Sequence, residues 1–398
     1  MPAPRVLLVA NTLPPRDVSG VGEQVLQLAA GLREAGCEVE ILGRGGSDPA
    51  CPGPFQGQTG AAGPKVLFPL TAVPAVWRAL RRFRPHVVQV HESDGGLAAL
   101  LVAIVAPLRA PVPRLVALLQ VSYVEERRAV RPLVFQGRVL GRPGGVERRF
   151  RWLKAPLQIA LGSLTASVAD LVLAPSAATA EEIRRDYKVE RPGVLPNVTG
   201  GLPIEPVVEE TVEAGDFFLF VGRLRIRKGV EVLLEAMKEL RCLPGARLLV
   251  AGDGEHRASL ERRAAELELG TAVRFLGLCN ASRVRGLLSG ARALVVPSIY
   301  EGMPLVVLEA MEAGVPVIAS AVSGIPEIVE DAGTGWLVPP EEPDSLADAL
   351  AEAWTNPAEA ARRGAAGRRR VEERFRPAHA AATWMRHLGF GCETIPAP

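Results

Sequence analysis

Cysteine and aromatic side chains are scarce in this chain of 398 residues, and neither sign of charge is in excess. The five cysteines are odd in number, and none belongs to a C-x-x-C pair, which excludes a disulfide framework and the common zinc motifs. With 46 Lys and Arg against 44 Asp and Glu, the net charge of +2 gives no reason to expect a nucleic-acid partner. The cysteines are Cys37, Cys51, Cys242, Cys279 and Cys392.

Long hydrophobic runs are also missing. The longest, residues 97–108, has 12 residues, whereas a membrane-spanning helix needs about 20. Residues 4–11 contain a short apolar run without a small-residue cleavage site, which predicts a buried strand rather than an export signal. We therefore expect a cytoplasmic protein, with peripheral contact at the inner face of a membrane left open.

Short apolar runs alternate with stretches of helical spacing along nearly the whole chain. Such runs joined by helices predict parallel sheets covered on both faces. Because the pattern occurs twice in succession, it predicts an α/β protein of two doubly wound domains. The predicted strands cover residues 6–10, 38–42, 86–91, 114–119 and 171–174 in the first series, and 217–221, 247–251, 273–276, 293–296 and 317–319 in the second.

The boundary between the domains is predicted from a segment rich in Pro, Gly and Glu, residues 196–216. We expect one domain over residues 1–205 and a second over residues 206–375. A C-terminal segment, residues 376–398, follows them.

Two glutamates follow the predicted strand 293–296. Glu301 lies in the strand-to-helix turn, and Glu309 lies eight residues later, about 12 Å along a helix axis. That separation suits opposite ends of an extended ligand whose phosphates rest on the N–H groups of the helix start. A glutamate near a helix start is also explained by the helix dipole alone. Glu309, within an apolar stretch, needs either ligand hydroxyls or a structural cation as its partner.

Four cations follow the predicted strand 217–221. They precede Gly229 and are suited to holding a diphosphate, because Arg offers a planar fork and Lys a point charge. We predict this role for Arg223 and Lys228, and surface solvation for Arg225 and Arg227.

In the first half of the chain, Gly20 and Gly22 precede a helical stretch, and His91 ends a strand. Val25 replaces the third glycine of the dinucleotide fingerprint, so a nicotinamide dehydrogenase is disfavoured. The glycines still allow an anion or a sugar to approach the backbone closely. His91 is equally consistent with strand-end packing and with function. No D-x-D or G-x-S-x-G motif occurs, so neither a metal site nor a hydrolase nucleophile is indicated.

Positive charge is concentrated in residues 125–154, which contain nine Arg or Lys and three Glu. The simpler interpretation is a solvated flap. The alternative is a basic surface for an anionic acceptor or for membrane lipid, together with the cluster Arg78, Arg81, Arg82 and Arg84.

Taken together, these motifs resemble the retaining glycosyltransferases of family 4, the glycosyl transferases group 1. The most specific part is residues 301–319, EGMPLVVLEAMEAGVPVIA, which is similar to the E-x7-E signature and its continuation. Supporting matches are Val221-Gly222-Arg223 with Lys228-Gly229, Ala251-Gly252-Asp253-Gly254, Phe275-Leu276-Gly277, Pro196-Asn197 and Ser323-Gly324-Ile325-Pro326-Glu327.

The resemblance implies a GT-B fold, in which two Rossmann-like domains face a central cleft. The first would bind the acceptor and the second the nucleotide-sugar donor, and residues 376–398 would cross back to the first. The implied catalytic residues are His91 near the anomeric carbon, Glu301 at the transferred sugar, and Arg223 and Lys228 at the leaving phosphates. Donor binding is further implied for Glu309 at the ribose, Gly302, Met303, Pro304 and Leu305 through backbone, Gly277 and Leu278 near the base, and Gly20 and Gly22 on the opposite wall.

The activity implied is that of a hexosyltransferase acting with retention, without a metal or other cofactor. Its acceptor would be a glycan, a lipid-linked sugar or a small molecule, within cell-envelope or polysaccharide biosynthesis. Three alternatives are a non-catalytic nucleotide-sugar binding protein, a sugar-nucleotide epimerase and a phosphorylase of the same fold.

Overall fold

A computed structural model describes residues 3–13, 20–44, 67–108, 112–200 and 217–390. The chain divides into two compact units. The first unit is drawn from Met1–Glu125, Lys154–Gly200 and Phe375–Pro398, and the second from Glu126–Leu153 and Gly201–Arg374. The predicted boundary segment falls largely on residues 201–216, which lie outside the described residues, as do Cys51 and Cys392.

A six-stranded parallel sheet in the order β2-β1-β3-β4-β7-β8 forms the centre of the first unit. Its strands are almost continuously apolar, so each face is covered by its own buried cluster. The strands are β1 (Arg5–Ala10), β2 (Glu38–Gly43), β3 (Val87–His91), β4 (Arg114–Leu118), β7 (Leu171–Ala174) and β8 (Gly193–Val194). The helices are α1 (Gly20–Glu34), α2 (Phe68–Arg82), α3 (Gly96–Val105), α6 (Ala155–Val168), α7 (Ala177–Tyr187) and α15 (Pro377–His387).

The last described helix, α15, belongs to the first unit. It packs against α1, and its Trp384 is fully buried in the cluster that also contains Leu28 and Leu32 of α1. Burial of this indole and its neighbours supplies an apolar seam that fixes the C-terminal helix on the first sheet.

The second unit repeats the architecture, with a parallel sheet in the order β11-β10-β9-β12-β13-β14. The strands are β9 (Phe218–Val221), β10 (Leu248–Ala251), β11 (Val273–Gly277), β12 (Ala293–Val296), β13 (Val317–Ser320) and β14 (Gly335–Val338). The helices are α8 (Val230–Glu239), α9 (Arg257–Glu266), α10 (Ala281–Gly290), α11 (Leu305–Glu312), α12 (Ile325–Ile328), α13 (Pro343–Thr355) and α14 (Pro357–Arg374).

Residues 126–153 pack with the second unit, although the sequence analysis assigned them to the first domain. Helix α4 (Tyr123–Ala129) contains the boundary, and the hairpin β5 (Leu133–Phe135) and β6 (Arg138–Gly141) and helix α5 (Gly145–Arg149) follow it. Leu133 is fully buried in the apolar core of the second unit. The interpretation of the segment as a solvated flap therefore fails at Leu133, because this side chain anchors the segment to a core that lies far away in sequence.

All ten predicted strands are present, and both main sheets are parallel as predicted. The sequence analysis did not predict β8, β14 or the β5–β6 hairpin. None of the described helices combines the length and the apolar character required to cross a bilayer.

Candidate active site

The strand order of the second unit creates a switch point between β9 and β12. From β9 the chain continues to β10 and β11 on one side and then returns to β12 on the other. In open parallel sheets, ligands bind beyond the carboxyl ends of the strands at such a point. The loop after β9 carries Arg223 and Lys228, and the loop after β12 carries Glu301. The topology thus brings together the two motifs that the sequence singled out.

Lys228 and Glu301 form a direct ion pair within the second unit. The hydroxyl of Ser298 donates a second hydrogen bond to the Glu301 carboxylate at 2.8 Å. Glu301 is only 6% exposed. Burial alone would raise the pKa of Glu301, but the charges of Lys228 and Arg227 outweigh it and hold that pKa below its usual value. The carboxylate is therefore ionised at neutral pH.

Arg227 also belongs to this charged group. Its Nη1 lies 3.7 Å from Glu301 Oε2, and its Nε lies 3.3 Å from Glu126 Oε1. The same guanidinium donates to the Tyr300 carbonyl at 3.3 Å. The prediction that Arg227 is solvated on the surface is therefore wrong: it links two buried carboxylates that are distant in sequence.

Gly229 and Gly252 hold the loops around this group close together. Gly229 has φ +65°, and a Cβ there would lie 2.0 Å from the Pro297 carbonyl oxygen. Gly252 has φ +151°, and its Cβ would lie 1.8 Å from the Gly222 carbonyl oxygen. Since no side chain fits at either position, these glycines let the loops after β9, β10 and β12 pack backbone to backbone.

The other predicted donor residues of the second unit lie on the loops and the helix that follow its strands. Arg223 is exposed and has no ion-pair partner within the described part of the chain. Glu309 is half-buried on α11. Since α11 begins at Leu305, Glu301 precedes the helix, and the helical spacing calculated between the two glutamates does not apply.

Backbone groups of the predicted donor residues frame the start of α11. Pro304 precedes the first helical residue, and the Gly302 carbonyl accepts from the Gly324 N–H at 3.0 Å. Met303 is buried. The N–H groups of Leu305 and the residue after it belong to the first turn and have no carbonyl partner within the helix, so they are available to an anion.

At the end of β11, Gly277 adopts φ +74° and accepts from the Gly252 N–H at 2.8 Å. Leu278, the next residue, is 81% exposed. Because this large apolar side chain lies outside the core, an aromatic ring of a ligand can pack against it.

His91 ends β3 of the first unit and is 1% exposed. Its Nε2 lies 2.9 Å from Gln89 Nε2, and Gln89 Oε1 accepts from the Trp384 indole at 2.6 Å. An indole N–H only donates, so the Gln89 amide group must donate to His91 and the ring hydrogen sits on Nδ1. Nδ1 is buried and has no partner among the described residues. Burial lowers the pKa of His91 to about 3, so the ring is neutral.

Gly20 and Gly22 lie in the first turn of α1, which follows β1, and β1 adjoins β3 in the first sheet. The strand order reverses between these two strands, so the glycines and His91 lie at the same carboxyl end of the first sheet. Residues 14–19, including Ser19, lie outside the described residues.

The sequence analysis missed a buried cluster beside the cationic loop. His256 Nε2 lies 2.9 Å from Glu147 Oε2, and His256 Nδ1 lies 2.9 Å from Glu231 Oε1. Burial alone would lower the pKa of His256, but these two carboxylates raise it to about 10. The ring is therefore an imidazolium that donates from both nitrogens. Glu255 brings a third carboxylate close to this ring.

Two family models match the chain, one on each half. The model described as "Glycosyltransferase Family 4" matches residues 18–198, and the model described as "Glycosyl transferases group 1" matches residues 205–370. These matches cover all the predicted site residues.

Among curated relatives, the alpha-maltose-1-phosphate synthase of Mycolicibacterium smegmatis is 29% identical over an alignment that covers 95% of this chain and 97% of the synthase. Other curated relatives are 37% and 42% identical, but the chain matches only 38% and 33% of their length.

Two solved structures are similar over 97% of the chain. Sucrose-phosphate synthase from Thermosynechococcus elongatus has a TM-score of 0.75 at 25% identity, with 98% of that chain covered. Anabaena HepE in complex with UDP-glucose has a TM-score of 0.68 at 17% identity, with 99% covered. The second likeness concerns the fold alone.

Proposed function

The chain belongs to glycosyltransferase family 4, with the GT-B fold, and on this premise we propose that it transfers a sugar from a nucleotide-diphosphate sugar to an acceptor with retention of configuration. The observation that carries the proposal is the meeting of Lys228 and Glu301 at the switch point of the second sheet. A cation and a carboxylate there can hold a phosphate and a sugar hydroxyl on adjacent sides.

The donor diphosphate is proposed to lie between Arg223, Lys228 and the first N–H groups of α11. Both cations belong to the loop after β9, where Arg223 is exposed and Lys228 is half-buried against Glu301. Glu309 on α11 is proposed to accept the ribose hydroxyls. Because HepE of Anabaena was solved with UDP-glucose, UDP-sugars are the first donor class to test.

During transfer, the bond between the anomeric carbon and the β-phosphate oxygen breaks, and a bond to the acceptor oxygen forms on the same face of the sugar. The acceptor proton passes to the departing diphosphate. Arg223 and Lys228 stabilise the charge that develops on that leaving group. Neutral His91 is proposed to donate from Nδ1 to an oxygen of the sugar. Since two cations and helix-end amides neutralise the diphosphate, we propose that the reaction requires no metal ion.

Thermal-shift measurements with UDP-, GDP- and ADP-sugars test donor binding, because a ligand that binds only the folded state raises the melting temperature. A donor that binds is then incubated with and without candidate acceptors, and the anomeric configuration of the product is read by NMR. A protein that binds the donor but shows neither sugar transfer nor slow hydrolysis of the donor is a non-catalytic binding protein. A rearranged sugar formed without acceptor indicates an epimerase, and a requirement for inorganic phosphate indicates a phosphorylase. Activity lost in EDTA contradicts the metal-free reaction.

The acceptor is proposed to be a glycan, a lipid-linked sugar or a small molecule of cell-envelope or polysaccharide biosynthesis. Peripheral contact with an anionic membrane is supported by three exposed apolar side chains, Trp152, Leu153 and Leu157, which are 65%, 72% and 61% exposed. Exposed Arg148, Arg149 and Lys154 lie beside them in sequence. Aromatic and aliphatic side chains among cations are typical of interfacial helices.

Vesicle co-sedimentation tests the membrane contact. We expect binding to phosphatidylglycerol vesicles at low salt and none to phosphatidylcholine vesicles, with loss of binding in Trp152→Ala/Leu153→Ala. The control is Leu108→Ala, which removes an exposed leucine of the first unit. Absence of binding to the anionic vesicles removes the membrane contact and leaves the transferase proposal intact.

A further inference from the structure

We propose that residues 126–153, here called the docking segment, act as a positioning element for the cationic loop Arg223–Gly229 through Glu147 and Glu126. This inference rests on the proposed function, because the loop carries Arg223 and Lys228. It assigns a role in donor binding to residues that come from the first half of the sequence and touch no reacting atom.

The docking segment is anchored by several contacts besides the one that Glu147 makes with the loop. Leu133 is fully buried in the core of the second unit, and Arg131 forms an ion pair with Glu341. The N–H groups of Val146 and Glu147 both donate to the Glu255 carboxylate at 2.9 Å. These contacts fix the backbone that carries Glu147, so its side chain has a defined direction.

Glu147 holds the middle of the loop. It is 2% exposed, and its Oε1 accepts from the Ile226 backbone N–H at 2.8 Å. Ile226 lies two residues before Lys228. A buried N–H bonded to a carboxylate is a strong contact, and removing the acceptor leaves the donor unsatisfied. Glu147 therefore determines where the backbone turns toward Lys228.

His256 connects Glu147 to the element that follows the loop. Its second nitrogen bonds to Glu231, the second residue of α8, 2.9 Å away. Glu231 itself is only 4% exposed. The hydrogen-bonded chain Glu147–His256–Glu231 thus holds the loop at Ile226 and again just after Gly229. Its charge state agrees with this role, since the two carboxylates raise the pKa of His256 to about 10 and keep the ring protonated.

Glu126 holds a side chain of the same loop, the guanidinium of Arg227. Its Oε1 lies 3.3 Å from Arg227 Nε, and Arg227 in turn reaches Glu301. Without Glu126, Arg227 has a single buried carboxylate to balance and competes with Lys228 for it. The docking segment therefore determines the backbone position of the loop through Glu147. Through Glu126 it also leaves Glu301 free to pair with Lys228.

The experiment compares the affinities of UDP and UMP by calorimetry, with GDP and GMP or ADP and AMP used instead if the wild type prefers them. Glu147→Ala is expected to lower the affinity for UDP at least about tenfold, equivalent to about 1.4 kcal/mol. The affinity for UMP is expected to fall less than about twofold. Glu147→Gln keeps an oxygen for the Ile226 N–H and is expected to restore most of the UDP affinity. The control is Glu268→Ala, which removes a highly exposed carboxylate of the same unit.

A loss of fold affects both nucleotides alike, whereas displacement of the loop affects the diphosphate selectively. If Glu147→Ala fails to fold, Glu126→Gln decides, and a selective loss of UDP affinity is again expected. If the wild type binds UDP and the folded variants show the same ratio of UDP affinity to UMP affinity as the wild type, the positioning role is overturned. The proposed function then stands. A wild type that binds none of the three diphosphates overturns the proposed function and this inference with it.

Discussion

Trp384 and Gln89 meet in the interior of the first unit, where the indole N–H donates to the Gln89 side-chain oxygen at 2.6 Å. They lie 295 residues apart in sequence. Because the indole occupies that oxygen, the Gln89 amide group points at His91 and sets its tautomer. The C-terminal helix thereby controls which nitrogen of His91 carries a hydrogen.

Trp384→Phe tests this control. Loss of the N–H frees the Gln89 amide to rotate, so His91 no longer keeps its hydrogen on Nδ1. We expect kcat to fall about tenfold, equivalent to about 1.4 kcal/mol of transition-state stabilisation, with a loss of about 1 kcal/mol in the free energy of unfolding. Met385→Leu, a buried neighbour without a polar contact in this network, serves as the control in the same assays. Equal effects of the two variants on kcat would show that the helix acts only through packing.

The sheets were predictable because their signal is local. Each strand of the two parallel sheets is a short apolar run that helices bury on both faces, and a single sequence displays such runs directly. The same regularity located Lys228 and Glu301, since ligand groups of these folds follow the carboxyl ends of strands. The β5–β6 hairpin was missed because Gln136-Gly137, whose φ angles are both positive in its two-residue turn, is not one of the dipeptides that signal such a turn.

The docking segment was not predictable from the same information. Its eight cations dominate the local charge count, but its acids make the contacts that decide its position. Glu147 meets Ile226 across 79 residues and His256 across 109. Arg227 was misassigned for the same reason, because its partner Glu126 lies in this segment. Local patterns of charge do not encode such long-range pairs.

Glu309→Ala is expected to weaken donor binding by about two to four orders of magnitude, because each of the two hydrogen bonds from ribose hydroxyls to the carboxylate contributes about 1.5–3 kcal/mol. Calorimetry with the donor identified by thermal shift measures the effect. Glu312→Ala, three residues further along α11, controls for the loss of a helix charge. Unchanged donor affinity in Glu309→Ala, with the fold intact, would refute the ribose role.

Arg223→Ala combined with Lys228→Ala is expected to lower kcat/KM by about two to four orders of magnitude, since two charge-assisted contacts of about 1.5–3 kcal/mol each are lost. The control is the double variant Lys238→Ala/Arg241→Ala, which removes two exposed cations from another part of the same unit. Steady-state kinetics decides. Near-normal turnover in the first pair would mean that other groups hold the diphosphate.

His256 gives the stability of the second unit a defined pH dependence. Its pKa in the fold, about 10, exceeds the usual 6.5 because Glu147 and Glu231 bond to the charged ring, with Glu255 close by. A group whose pKa is raised by folding stabilises fully below its unfolded pKa and loses that contribution as pH rises through the folded value. Between about pH 6.5 and 10 the free energy of unfolding should therefore fall by up to about 1.4 kcal/mol per pH unit from this group.

Urea unfolding at a series of pH values, applied to the wild type and to His256→Gln, isolates this contribution. The variant leaves Glu147 and Glu231 facing a neutral amide, so its deficit relative to the wild type should be largest near pH 6.5 and shrink toward pH 10. Groups common to both proteins titrate in both and cancel from the difference. A deficit that stays constant across this range would mean that His256 is neutral in the fold and that the two carboxylates are held by some other means.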